Sequence, residues 1–155
     1  MCLVVDTNCI ALVFNKANSE HPKFAPILKW LFQGNGRMIY GGKKYKSELA
    51  QMHRYGGILA ELRRKGRLVE MPGSDVDAAA VKLKKKIPSK NFNDEHIVAL
   101  VILSRCCIVC SNDRASYQFL QRRDLYPKGM KPPKIYNQSR HHKLCCDRHV
   151  VDVCR

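Results

Sequence analysis

Leu3-Val4-Val5-Asp6-Thr7-Asn8 is the stretch whose reading decides the fold. Three apolar residues, two of them β-branched, spell a short buried strand. A carboxylate followed by Thr and Asn then ends the apolar run. A sheet interior does not tolerate an unpaired carboxylate, so Asp6 is expected at the strand's C-terminal edge. Cys9 to Phe14 is apolar enough to start a helix, with Thr7 or Asn8 as its cap. Open α/β sheets bind ligands just outside the carboxyl ends of their strands, which makes Asp6 a candidate for chemistry. The plainer role is a helix cap, and acids at equivalent places elsewhere decide between the two.

Working outward, His21-Pro22 marks a break. Lys23 to Phe32 reads as an amphipathic helix with Pro26 in its first turn, stopped by Gly34-Asn35-Gly36. Arg37 to Tyr40 is a second strand. Lys44 to Arg64 has helical spacing, kinked or split at Gly56-Gly57. Arg67 to Met71 is a third strand, and Ser74 or Asp75 is placed to cap a helix running to Lys86. Asn91 to Glu95 opens a strongly apolar helix from His96 to Leu103. Ile108-Val109-Cys110 repeats the form of the opening, an apolar strand ending in Ser111-Asn112-Asp113. Ala115 to Gln121 is a short helix, and Lys134-Ile135-Tyr136 an edge strand. This alternation predicts an α/β fold with a mostly parallel sheet.

The 155 residues suit one domain, read as residues 1–136 followed by a basic, Cys/His-rich tail over residues 137–155. Hydrophobic content is 45%, yet no apolar run approaches the roughly 18 residues of a membrane span. Neither a signal peptide nor a span is expected. The chain carries 28 Lys and Arg against 13 Asp and Glu, a formal charge of +15, which favours a polyanionic partner and nucleic acid foremost. Its eight cysteines include the adjacent pairs Cys106-Cys107 and Cys145-Cys146, so a reduced, cytoplasmic setting is expected rather than a disulfide framework. Cys106, Cys107 and Cys110 flank a strand and read as core fillers.

In a chain this short of acids, their placement is informative. Asp6 and Asp113 lie at strand ends, Asp94 at a helix N-terminus, and Glu48 in the first half of a helix. A parallel sheet can bring all four to one edge. Carboxylates that converge without cations repel one another, and a hard divalent ion, Mg²⁺ or Mn²⁺, relieves that repulsion. One or two such ions would activate water and offset the charge that builds on a phosphodiester.

Val5-Asp6-Thr7-Asn8, Ser47-Glu48-Leu49, Asn93-Asp94-Glu95-His96-Ile97 and Ser111-Asn112-Asp113, taken together, resemble the PIN-domain family of nucleases, which includes VapC-like ribonucleases. The likeness covers roughly residues 2–125. It implies a Rossmann-like α/β/α sandwich around a central parallel sheet and a Mg²⁺- or Mn²⁺-dependent endoribonuclease that leaves a 5′-phosphate and a 3′-hydroxyl. Carried over by position, Asp6, Glu48, Asp94 and Asp113 are the metal-binding catalytic acids, with Asn8, Ser111 and Asn112 in support. It also implies a role in RNA processing or as a toxin held by an antitoxin. Arg114-Ala115-Ser116 departs from the pattern by lacking a second acid, which weakens any second metal site.

Lys43, Lys44, Lys46 and Arg114 are the candidate phosphate contacts. Tyr45, Tyr55 and Tyr117 are either core residues or stacking platforms. In the tail, His142, Cys145, Cys146 and His149 are candidate zinc ligands, although their spacing fits no standard finger. A tail contacting RNA or a protein partner is the alternative. The bulky face of Phe24 to Phe32 suggests a homodimer. Two other functions remain: a non-catalytic basic RNA-binding module, and a structure-specific DNA nuclease, for whose helical clamp the chain leaves little room.

Overall fold

A computed structural model describes residues 2–146 of the chain. Five strands form one parallel sheet: β1 (Cys2–Val5), β2 (Arg37–Gly41), β3 (Leu68–Met71), β4 (Ile108–Cys110) and β5 (Lys134–Tyr136). Their order is β3-β2-β1-β4-β5, so β1 lies at the centre, and β5 at an edge as its position in the sequence suggested. Val4 is in register with Ile39 on one side and Val109 on the other. All four β1 residues are buried, as expected of a parallel strand covered on both faces.

The helices are α1 (Ile10–Phe14), α2 (His21–Gln33), α3 (Lys43–Ala50), α4 (Gly56–Arg64), α5 (Gly73–Lys86), α6 (Glu95–Ser104) and α7 (Arg114–Leu120). Helices flank the sheet: α1 packs on α2, α4 on β3, and α3 on β2, α5 and α6. The expected α/β/α sandwich with a parallel sheet is therefore observed. On one side α6 packs on α5 and on β1, β2 and β3. It is apolar nearly all round, with Ile97 to Val101 all buried. On the other side, Phe24 of α2 meets Tyr136 with ring centroids 6.1 Å apart. Phe92, ahead of α6, meets Phe119 of α7 at 4.8 Å.

Several local expectations are corrected. The residues read as a break, His21-Pro22, instead begin α2, because a proline at the start of a helix gives up only an N–H with no intrahelical partner. Pro26 consequently lies inside α2 rather than in its first turn. The long third helix divides at Gln51-Met52 and a 3-10 turn over His53–Tyr55, not at Gly56-Gly57, which instead open α4. Neither Ser74 nor Asp75 caps α5, whose N-cap is Pro72. Cys107 is exposed, unlike the buried Cys106 and Cys110. Cys2 is disulfide-bonded, a departure from the wholly reduced set expected, whereas Cys9, Cys106, Cys107, Cys110, Cys145 and Cys146 are free thiols. Phe24, Ile27, Trp30 and Leu31 of α2 are buried within the chain. No described helix is long and apolar enough to cross a membrane.

Gly41 and Gly42 set the angle at which the chain leaves β2 for α3. Gly41 has φ 151°, and a Cβ there would stand 2.6 Å from the Met71 carbonyl oxygen. Gly41→Ala is therefore expected to cost at least ~1–3 kcal/mol of stability, measured as a lower urea midpoint with an unchanged slope.

Candidate functional site

The sheet order places a topological switch point between β1 and β4, because the chain leaves β1 towards β2 and β3 and returns to lay β4 on its other side. Crevices at such points, outside the strands' carboxyl ends, are where open α/β sheets bind ligands. The residue after β1 is Asp6, and those after β4 are Ser111, Asn112 and Asp113.

Asp6 is only 6% exposed. Its backbone N–H donates to the Cys110 carbonyl at 2.8 Å, which extends the β1–β4 ladder to the site itself. Its Oδ2 accepts from Ser111 Oγ at 2.9 Å and from Asn8 Nδ2 at 3.0 Å. Its Oδ1 has only a long contact of 3.4 Å from the Asn8 backbone N–H. Asp6 is thus both a cap for the 3-10 turn over Thr7–Cys9 and a held carboxylate with spare lone pairs. Burial raises its pKa, the bonds from Ser111 and Asn8 lower it, and the charges of Glu48 and Asp113 raise it again.

Glu48 reaches the same edge from α3. Its Oε2 accepts from Thr7 Oγ1 at 2.7 Å and stands 3.6 Å from His96 Nε2. Asp113 caps α7 through Oδ1, which accepts from the Ala115 N–H at 2.9 Å. Ser111 ties the two strand-end acids together: its hydroxyl proton goes to Asp6, and its oxygen accepts from the Asp113 N–H at 3.2 Å. Asp94 is the N-cap residue of α6, but its carboxylate makes no capping bond. Its pKa is pushed up to about 6, first by burial and then by Asp6 and Asp113, with Lys44 opposing. All four acids read from the sequence therefore sit in one electrostatic neighbourhood.

Several residues that position this site were not legible as such. Thr7, expected as a cap, instead anchors Glu48 across 41 positions of sequence. Tyr45 is fully buried, and its hydroxyl donates to the Val5 carbonyl, which rules out its use as a stacking platform. Tyr117 donates to the Ser111 carbonyl at 2.9 Å and accepts from Asn137 Nδ2 at 2.9 Å. Ser116 donates to the Asp113 carbonyl at 2.7 Å. His96 is 4% exposed, neither ring nitrogen has a hydrogen-bond partner, and burial followed by the Lys44 charge lowers its pKa. The one available signal was that Tyr117 and Ser116 follow Asp113 within a single helical turn; the rest are long-range contacts.

The basic candidates divide. Lys44 donates to the Asn93 carbonyl and to Glu95 Oε1 at 3.0 Å, so it holds the loop that carries Asp94. Lys46 is ion-paired with Glu70. Lys43 and Arg114 are exposed and without ion pairs among the described residues. Asn112 is exposed beside the site. Of the tail candidates, His142 is exposed, while Cys145 and Cys146 are half-buried free thiols. Burial pushes the Cys145 thiol up to about 12. His149 lies outside the described residues.

The acids fit a hard divalent ion by their chemistry. Asp6 and Asp94 are both made harder to ionise, first by burial and then by neighbouring acids, and each of the four carboxylates has at least one oxygen without a close hydrogen bond among the described residues. Those residues contain no ready-made cage of three His, Cys, Asp or Glu side chains around a point. The donors are gathered at one edge without enclosing it. No family model, curated protein or solved structure matches the chain.

The raised acids carry a stability consequence in metal-free protein. With a folded-state pKa of about 6 against an ordinary 3.8, Asp94 favours folding below about pH 4, and that contribution is lost as pH rises through about 6. Asp94→Asn should therefore leave the melting temperature nearly unchanged at pH 4 and raise it at pH 7.5. Solvent screening of this partly exposed group limits the gain to on the order of 1 kcal/mol, or ~2–4 °C. Paired thermal melts in EDTA at the two pH values check it; equal shifts at both would count against the crowding.

Proposed function

We propose that the chain is a divalent-metal-dependent endoribonuclease with a PIN-like site. One observation carries the reading: at the β1/β4 switch point Asp6 and Asp94, both raised in pKa first by burial, also feel neighbouring acids, Glu48 and Asp113 at Asp6, and Asp6 and Asp113 at Asp94. Like charges gathered at a strand edge are unfavourable for the fold by themselves, and a cation is what turns them to use. The four motifs that resemble the PIN family support the same assignment, and the +15 charge supports a polyanionic substrate.

In this reading Asp6, Asp94, Asp113 and Glu48 hold Mg²⁺ or Mn²⁺, and the ion supplies Lewis acidity that activates water and offsets charge on the phosphodiester. The chain's own residues do the positioning. Ser111 and Asn8 fix Asp6 so that Oδ2 is occupied and Oδ1 is left for the ligand. Thr7 fixes Glu48 by one oxygen and leaves the other. Lys44 keeps Asp94 at the edge by bonding both sides of it, at Asn93 and Glu95. Exposed Lys43 and Arg114 bracket the acids with positive charge that suits flanking phosphates. A second reading, an RNA-binding module that cuts nothing, is favoured by the open arrangement of the acids.

Cleavage of labelled single-stranded RNA in Mn²⁺, Mg²⁺ or EDTA separates the two, with flapped DNA as a parallel substrate. The expected result is metal-dependent cutting of RNA that Asp6→Asn abolishes. Tight, salt-sensitive binding without cutting in either metal would establish the binding module instead. Thr7→Val keeps the shape and frees Glu48, and Ser111→Ala frees Asp6. Each should weaken Mn²⁺ binding, read by calorimetry, by about 10–100-fold as outer-shell partners do.

A further inference from the structure

A cavity of about 400 Å³ opens beside the acids, walled by Thr7, Asn8, Gln51, Met52, Arg54 and Tyr55 among others. Thr7 and Asn8 belong to both places: their side chains hold Glu48 and Asp6, and their other surfaces line the cavity. We infer that this cavity is a base-reading subsite that takes one unpaired nucleobase of the RNA strand next to the phosphodiester held at the acids. The inference rests on the nuclease reading and adds to it a place where sequence is sensed.

The lining suits a flat heteroaromatic ring. Met52 gives an apolar wall, and the Arg54 guanidinium lies over the Tyr55 ring, 5.4 Å from its centroid. Tyr55 is buried while Arg54 is exposed, so the guanidinium sits at the solvent side of the ring. Unstacked RNA bases are held on such aromatic and guanidinium planes. Arg54 has no ion-pair partner among the described residues. At the edge of the stack, the Asn8 amide nitrogen is committed to Asp6, leaving its oxygen as a fixed acceptor for a base N–H. A fixed acceptor and a thioether wall are poor company for a phosphate. Gln51, exposed at the rim, adds an amide that can rotate to donate or accept.

The chain path couples this subsite to the chemistry. Glu48 is in the last turn of α3, and the helix ends at Ala50 so that Gln51 and the 3-10 turn over His53–Tyr55 can form the cavity wall. The same short segment thus sets both an acid and the base platform. A base bound there fixes the adjoining phosphate to within one nucleotide of the acids.

The test is binding of fluorescein-labelled A6, C6 and U6 oligoribonucleotides in EDTA at low salt, where nothing is cut, to wild type, Arg54→Ala, Arg54→Lys and Gln51→Ala. Arg54 and Gln51 are exposed, so the fold is retained. Wild type is expected to prefer one homopolymer. Both Arg54 variants should lose affinity for it by about 5- to 150-fold, the range of one base–platform stack, and level the preference, because Lys restores charge but not the plane. Gln51→Ala should shift the order of preference with a smaller loss. An equal loss for all three homopolymers, or full rescue by Arg54→Lys, would make Arg54 a phosphate contact and overturn the subsite. Binding of none by wild type would overturn the nucleic-acid reading and the subsite with it. Base-selective binding that Arg54→Lys removes, in a protein that cuts nothing in Mn²⁺, would uphold the subsite and reject the nuclease.

Discussion

Asp6 is a carboxylate held nearly out of water at the end of a wholly buried strand, and the surrounding structure is arranged to make that tolerable. Its own N–H continues the ladder to Cys110, so it cannot swing away without breaking the sheet. Burying an ionised group without partners is expensive, and two short bonds to one oxygen, from Ser111 and Asn8, offset part of that expense. Both donors are themselves fixed. Ser111 follows β4 and has its carbonyl held by Tyr117, and Asn8 lies in the turn that Asp6 caps. The result is a rigid carboxylate whose remaining oxygen is bonded to little else, which is the preorganisation a ligand site requires.

The same logic distributes the neighbouring acids over elements that cannot move together. Glu48 rides on α3, whose entry angle is set by Gly41 and Gly42 with φ of 151° and 78°. Asp94 precedes α6, which the core grips on nearly every side. Asp113 caps α7. Because four separate pieces of backbone carry the charges, relaxation of one does not relieve the others, and the repulsion adds to burial in raising the pKa values of Asp6 and Asp94. A cluster on one flexible loop would simply spread apart.

Much of this was legible in the sequence because of what a parallel sheet demands. Strands buried on both faces must be continuously apolar, so Leu3-Val4-Val5 and Ile108-Val109-Cys110 stand out, and the acids that end them mark the carboxyl edge without further information. Helix interiors also announced themselves, as at His96 to Leu103. What escaped were details decided by tertiary contact. The break at Gln51-Met52 falls where Tyr55 must turn into the core, while the glycines that drew attention meet nothing within 4 Å and simply open α4. Thr7 looked like a cap because its partner, Glu48, is 41 residues away. Lys44 and Lys46 looked like phosphate contacts because charge pairing with Glu95 and Glu70 is invisible until α3, β3 and α6 are assembled.

The contrast between a +15 chain and an acidic sheet edge is itself informative. Long-range attraction brings a polyanion to the surface, but a phosphate approaching Asp6, Asp94 and Asp113 meets their repulsion at short range, where screening is weakest. On the proposed reading, a divalent ion held by Asp6, Asp94 and Asp113 would offset that repulsion. Ion and strand would then favour each other's binding, and by linkage the favour is equal in both directions. Lys44 limits how far this can go: already committed to Asn93 and Glu95, it steadies Asp94 without occupying the space between the carboxylates. An ammonium placed among them would have relieved the repulsion permanently and left no room for an exchangeable cation. On the proposed reading, holding Lys44 to Asn93 and Glu95 keeps the acids underneutralised, and that shortfall of positive charge would give the edge its capacity to bind a cation.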